Sequence, residues 1–364
     1  MIDAVVAGAG VWGCTVARVL AEAGEKVLVL EKRPVVGGNV RCDIDDNTDI
    51  EIHTYGSHIF HTSDMEVWRF INRFTSFNGY QHKVLAQHNG KTYFLPLGLT
   101  LINKFFNVEL APEEVSEFLK KDGHEEAIFN AFFRNYTSKQ WGMPPEKIDP
   151  SIIKRVPVRS NYDTNYFTDY LQGIPSDGYN ALFERMLDHN NIEVKTGISF
   201  RLNDWHKYCD NNTIVFYSGP IDELFDFKFG PLPWRSLRFE LERIPIADFQ
   251  GTSVVNYVDA DAPFTRIHEF KHYHPENKDI MSCKETIICR EYPKNWEIGD
   301  EPYYPVNSDE SSELLIKYQG EAASIPNLVV GGRLGLYRYF DMDKAIANAF
   351  EILRCFKGKQ NALF

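Results

Sequence analysis

Gly8-Ala9-Gly10-Val11-Trp12-Gly13 follows a strand-like segment at residues 2–7, with Ala4, Val5 and Val6 a continuous apolar run, and opens a helical stretch at 14–23 that ends on Gly24. A second strand-like run at 26–30 leads to an acid, Glu31, eighteen positions beyond Gly13. Few folds accommodate that order, because each part has a task in cradling the ADP half of a dinucleotide. Gly8 permits the tight turn, Gly10 lets backbone approach a pyrophosphate, and Gly13 lets helix and strand pack closely. The helix N-terminus offers free N–H groups and its positive dipole end to phosphate. Glu31 is placed to accept hydrogen bonds from a ribose diol.

The acid is followed by Lys32-Arg33-Pro34-Val35-Val36-Gly37-Gly38-Asn39. Many flavoproteins continue past their first fold unit with such a double glycine, which closes over the cofactor. NAD dehydrogenases usually lack it, so the cofactor reads as FAD.

A net charge of −12 argues against nucleic acid as a partner, since phosphate backbones need a basic surface. A small phosphorylated ligand stays possible, because screening over about 8 Å lets arginines in a pocket outweigh remote acids. No run approaches the roughly twenty apolar residues of a membrane span. The six cysteines show no metal-ligand spacing, and reduced thiols in the cytoplasm are the simpler reading. Cys283 and Cys289 read as ordinary strand residues.

Apolar spacing predicts a core-facing helix over 63–77. Strand-like runs follow at 83–87 and 92–95, the start Ala111-Pro112-Glu113-Glu114 predicts a helix at 112–121, and a further helix is expected at 125–135. Strands follow at 193–195, 213–217, 237–242 and 253–257. Near the end, residues 328–330 lead through Gly331-Gly332-Arg333 to a helix over 341–356, with Asp341 or Asp343 as cap.

Four clusters combine aromatic, histidine and arginine residues. The first is residues 55–61, where His58 and His61 read as part of a turn rather than a zinc pair. The second is residues 132–142; on a helix Tyr136 and Gln140 share a face, where a base stacks or a core packs. The third includes Arg155, Arg159 and Tyr166. The fourth is scattered over Arg266, Tyr303, Tyr304 and residues 333–341. Arginine and tyrosine together suit a diphosphate. No GxSxG, HExxH or phosphate-loop lysine is present, so a flavin is the natural source of the reactive atom.

In this order the clusters resemble the bacterial UDP-galactopyranose mutase family. The likeness spans nearly the whole chain and rests on GxGxxG, 31–33, 37–39, 55–62, 136–142, 153–155, 165–167, 217–222, 302–305 and 331–334. It implies an isomerase that interconverts UDP-galactopyranose and UDP-galactofuranose for cell-surface polysaccharide, with flavin N5 as nucleophile and no net redox change. FAD acts in its reduced form, kept so by an external reductant such as NAD(P)H or a reductase. The implied α/β architecture is a doubly wound FAD-binding Rossmann-like domain (1–75, 190–235, 325–364) with a helical insertion domain (95–150). An antiparallel β-sheet domain (76–94, 151–189, 236–324) completes it, with a mobile lid near 150–160. The oligomeric state stays open, a homodimer included.

By motif position the resemblance assigns catalysis to Arg155, Arg266 and His61. It places His82, Phe132, Phe133, Tyr136, Thr137, Trp141, Tyr166, Asn256, Glu291, Tyr304 and Tyr339 against the substrate. FAD contacts fall on Gly8, Gly10, Trp12, Gly13, Glu31, Lys32, Gly38, Asn39, His58, Ile59, Gly219, Arg333, Tyr339, Asp341 and Met342. No metal is implied. His82 stands where familiar members carry a sugar-contacting asparagine, and residues 98–104, near the base, are altered too. A 6-deoxy-galactose on dTDP is therefore an alternative substrate within the same chemistry. An FAD oxidoreductase of the amine-oxidase type and a non-catalytic nucleotide-sugar binder are the readings from other classes.

Overall fold

Ala4–Ala7 is a strand with all four residues buried, and its alternating side chains enter two different hydrophobic cores. Burial on both faces requires a central place in a covered sheet. The computed structural model describes residues 2–121, 123–147 and 158–361, and there this strand is the third of five. Across the sheet lie Leu328–Val330, Ile214–Tyr217, Ala4–Ala7, Val27–Glu31 and Ile192–Thr196, all parallel. The helix Val11–Glu22 covers one face, and the C-terminal helix Met342–Asn361 packs on it.

Gly13 sits where that first helix meets the turn. A Cβ added there would lie 1.8 Å from the Gly8 carbonyl oxygen. Gly320, inside the helix Asp309–Ala323, has nothing within 4 Å of such an atom. The two Gly→Ala changes are therefore expected to have opposite signs. Gly320→Ala gains about 0.4–1 kcal/mol through the unfolded chain; Gly13→Ala loses about 1–3 kcal/mol through overpacking. Urea midpoints of the two variants check this.

A second sheet has seven strands in the order Tyr304–Pro305, Trp234–Ile244, Thr286–Asn295, Arg266–Glu269, Val254–Tyr257, Val84–His88 and Lys91–Leu95. It is mixed rather than antiparallel throughout, because Val254–Tyr257 runs parallel to Val84–His88. Those two strands are distant in sequence, so no hairpin forces them to oppose. Between the sheets in sequence lie the helices Leu99–Phe106, Val115–Lys120, His124–Ile128 and Asn135–Trp141.

Several expected elements differ. The helix expected over 63–77 is Met65–Ile71, started by Asp64, whose carboxylate accepts from the Glu66 and Val67 amides. The helix expected at 125–135 continues to Trp141 through a π-helical turn, Phe129–Arg134. Residues 171–189 were expected with the second sheet, yet they join the first unit. Leu171–Gly173 pairs with Phe60–Thr62, and the helix Gly178–Leu187 packs on Val11–Glu22. Cys283 closes the short helix Lys278–Ser282, while Cys289 lies in a strand. Among the described residues, no helix is long and apolar enough to cross a membrane.

Candidate active site

One cavity of about 1450 Å³ runs from the glycine turn to the π-helical segment. Its first end is built by the turn itself. A Cβ on Gly38 would come within 2.9 Å of Gly10 Cα, so the two backbones meet with no side chain between them. Glu31 closes this end from behind, accepting from the Ala9 amide at 2.7 Å and the Arg33 amide at 2.9 Å. Each carboxylate oxygen keeps a second lone pair for a ribose hydroxyl. The Arg33 guanidinium lies over the Tyr55 ring at 4.2 Å and donates to Asn39 Oδ1 at 2.6 Å.

The middle of the cavity is lined by His58, Ile59, His61, Gly219, Arg333, Asp341 and Met342. His58 is held from both sides: its amide donates to His53 Nδ1, and its carbonyl accepts from Tyr179. Burial, with nearby His53 and Arg333, pushes the His58 imidazole down to about 3. His61 Nδ1 lies 2.7 Å from Asp169 Oδ2, and its ring stacks on Phe167 at 3.7 Å. Arg333 sits over Tyr339 at 4.6 Å and bonds the Tyr303 carbonyl.

The far end gathers charge around Arg266. Its guanidinium bonds the Tyr136 hydroxyl, and its Nε stands 3.5 Å from Glu291 Oε1. Glu291 is 2% exposed and also pairs with His268 Nε2 at 3.0 Å. Burial would raise that carboxyl, but Arg266 and His268 hold it below its ordinary value. His268 in turn reaches Ser57 Oγ at 2.6 Å, tying this wall to the turn that carries His58. Tyr304 and Tyr339 stack at 6.0 Å across the opening, and Tyr166 is exposed beside them.

His82, Phe133, Thr137, Trp141, Asn256, Lys32 and Trp12 also touch this cavity. Four expected contacts have other principal tasks. Gly13 is off the wall and serves the packing described above. Phe132 is buried with its ring against Tyr93 and Phe105, so the core reading holds for most of it. Trp12 is buried, bonded to Asn348, and pressed on Gly331 so closely that no Cβ fits there. Tyr136 turns its hydroxyl to Arg266 rather than standing free for a base. Arg155 lies outside the described residues, as does most of the expected lid. Ser57 was expected only as a member of the 55–61 cluster, whereas Asp169, His268 and Glu301, which ion-pairs Arg33 at 2.7 Å, were not anticipated. No pattern in the sequence marks them, since their partners are remote in the chain.

The polar wall is incomplete by itself. Asn256 Oδ1, Gln140 Oε1, Arg333 Nε and two Arg33 nitrogens are buried without hydrogen-bond partners among the described residues. Such atoms cost about 1–3 kcal/mol each unless something fills their valences. A long polar ligand with a dinucleotide at one end fits that requirement.

Residues 131–339 match the family model described as UDP-galactopyranose mutase. The chain belongs to the UDP-galactopyranose mutase family. It is thus an isomerase of the mutase type. Residues 6–74 match a second model, an NAD(P)-binding Rossmann-like domain. A probable UDP-galactopyranose mutase of Klebsiella pneumoniae is 38% identical, covering 95% of this chain and 92% of that protein. A dTDP-fucopyranose mutase of Escherichia coli is 36% identical, covering 96% and 97% respectively. The crystal structure of a reduced UDP-galactopyranose mutase superposes with a TM-score of 0.72 over 98% of this chain and 96% of that one. At 15% identity that likeness speaks for the fold alone.

Proposed function

We propose that the protein interconverts the pyranose and furanose forms of UDP-galactose with FAD held in its reduced state. The observation that carries this reading is Arg266, clamped between Tyr136 and Glu291 in the same cavity as the glycine turn. When bound, reduced FAD supplies an electron-rich N5 as nucleophile at the anomeric carbon, with no net redox change. Gly8, Gly10, Glu31, Asn39, His58 and Arg333 are the residues that would hold it, and the unpaired nitrogens of Arg33 and Arg333 suit its polar atoms.

The chain's own groups do the rest. Arg266, with Arg155 as the proposed second arginine, takes the charge that builds on a departing diphosphate. Tyr166 and Tyr304 donate hydroxyl hydrogens to the same oxygens, and Tyr339 joins them by turning there the hydrogen it gives Asp341 at 3.0 Å in this structure. Asn256 offers its unpaired carbonyl oxygen to a sugar hydroxyl. Glu291 never meets the diphosphate directly; it fixes Arg266 in place. An external reductant such as NAD(P)H or a reductase keeps the cofactor competent.

The dTDP-fucopyranose mutase likeness, over nearly all of both chains, supports dTDP-fucose as a second reading. Chemically reduced protein, assayed by chromatography on UDP-galactofuranose and dTDP-fucofuranose, tests both. The expected result is conversion of UDP-galactofuranose to the pyranose without stoichiometric consumption of reductant. Conversion of the dTDP sugar alone would move the assignment to that substrate. Steady oxygen consumption with net substrate oxidation, or colourless protein that takes up no flavin, would overturn the mutase reading.

A further inference from the structure

We propose that Asp169 is a positioning residue that makes His61 the proton carrier for sugar-ring opening and closing. This inference rests on the mutase reading above. His61 lies in the strand Phe60–Thr62 and lines the cavity, while Asp169 comes from the loop before Leu171–Gly173. Cross-strand pairing of His61 with Gln172 brings the two side chains together, with Nδ1 and Oδ2 2.7 Å apart. Ser63 donates to the other Asp169 oxygen, and Gln172 Nε2 donates to the Asp169 carbonyl. Both the side chain and the backbone of Asp169 are thereby fixed.

A carboxylate can only accept, so the proton on this contact belongs to His61 Nδ1. Although burial opposes it, the bonds from Ser63 and His61 and the charge of Lys344 keep Asp169 ionised at neutral pH. The tautomer is then decided: Nε2 is left to the cavity, as a lone pair in the imidazole or an N–H in the imidazolium. Phe167, stacked at 3.7 Å with an interplanar angle of 15°, stops the ring from turning away. The charged and titratable groups around His61 are Asp169, Lys344 behind it, and His82 beyond Phe167.

Ring exchange needs such a group. On opening, the C1–O5 bond breaks, its electron pair stays on O5, O5 gains a proton, and C1 takes the replacing pair from the flavin nitrogen when the cofactor is bound. On closing, O4 gives an electron pair to C1 and loses a proton, and C1 returns the other pair to that nitrogen. One group can serve both steps: His61 as imidazolium gives Nε2–H to O5, and as imidazole takes the proton of O4. The cycle returns it to its starting state, so no outside acid, base or oxidant is consumed. Asp169 fixes the ring's tautomer and holds Nε2 toward the substrate.

The test compares the flavin-loaded parent with Asp169→Asn and Asp169→Glu, using nitrogen NMR of labelled histidines beside steady-state kinetics. The parent is expected to show His61 protonated at Nδ1, and Asp169→Asn to lose that assignment. Asp169→Asn should lower kcat about 10²-fold, within the usual span for acid–base groups. KM should stay within about threefold, since binding is not what is removed. Asp169→Glu should recover most of the rate. An Nε2–H tautomer in the parent, or unchanged kcat in Asp169→Asn, would overturn the proposal. Loss of flavin in step with loss of rate, in both variants, would also overturn it and leave a structural role. A parent inert on both furanose substrates refutes the mutase reading instead, and the NMR result, which needs no turnover, separates the two failures.

Discussion

Arg266→Ala is expected to lower kcat/KM for the nucleotide sugar by about 10²–10⁴, the equivalent of two charge-assisted hydrogen bonds at roughly 1.5–3 kcal/mol each. Arg266→Lys keeps the charge but not the planar fork, so it should recover only part of the rate. The alanine variant should lose stability too, for a separate reason. Glu291 is buried and would be left without its arginine. Breaking a buried pair from one side costs about 3–5 kcal/mol. His268 softens that cost. Burial and the Arg266 charge depress its imidazole, while Glu291 works the other way. With the arginine gone, His268 accepts a proton more readily and compensates the carboxylate at 3.0 Å. The stability loss should therefore be smaller at pH 6 than at pH 8. Adding Glu291→Gln to Arg266→Ala should restore stability but not activity. Measuring urea midpoints and kcat/KM on the same flavin-loaded samples separates the two effects. An Arg266→Ala enzyme within about threefold of its parent would remove the diphosphate role of this residue.

The parts of this molecule that could be read from sequence are those in which neighbours in the chain do the work together. The turn from Gly8 to Gly13 is one, since spacing alone defines a strand, a turn and a helix end. Local helix-start chemistry likewise located the helices at 112–121 and 341–356, though not their ends. The helix expected at 125–135 missed Phe129–Arg134, because a 3.6-residue repeat carries no sign of a π-turn. That turn shifts the register so that Phe132 faces the core while Tyr136 and Thr137 still reach the cavity. Alternation found most strands of the second sheet, yet not that Val254–Tyr257 would pair in parallel with Val84–His88. Asp169 and His61 are 108 positions apart, and His268 and Ser57 are 211 apart. Such pairs arise only once two sheets and a returning loop are assembled. Family likeness could mark residues that face a ligand, but the groups that stand behind them need the fold.

Acidification from pH 6.5 to pH 5 is expected to remove about 3 kcal/mol of folding stability through His53 and His82 alone, the slope for each rising to about 1.4 kcal/mol per unit of pH as the unfolded chain becomes protonated. His53 is 1% exposed; its Nδ1 accepts from the His58 amide, which puts the proton on Nε2, an atom with no partner among the described residues. Burial, followed by nearby His274 and His268 and only partly offset by Glu51, pushes it down to about 4. His82, 5% exposed between Tyr80 and Phe167, is pushed down to about 3 by burial and then by the charges of Arg266, His268 and His61. In the unfolded chain both titrate near about 6.5. Below that value the unfolded state binds more protons, so stability falls with pH until each folded value is reached. Despite burial, His272 and His274 are raised by Glu269 and Glu51. Their contribution is already complete below the unfolded value and adds no slope in this window. Glu51 and Glu291 are lowered, so their contribution is lost only below about 4.5, outside it. Against a total of about 5–15 kcal/mol, the loss brings the protein near its unfolding threshold at pH 5. Urea midpoints between pH 7 and pH 5 measure the effect, and His82→Asn should cut the slope by about one proton. A midpoint that does not move over that range would mean that these two imidazoles are not held neutral by the fold.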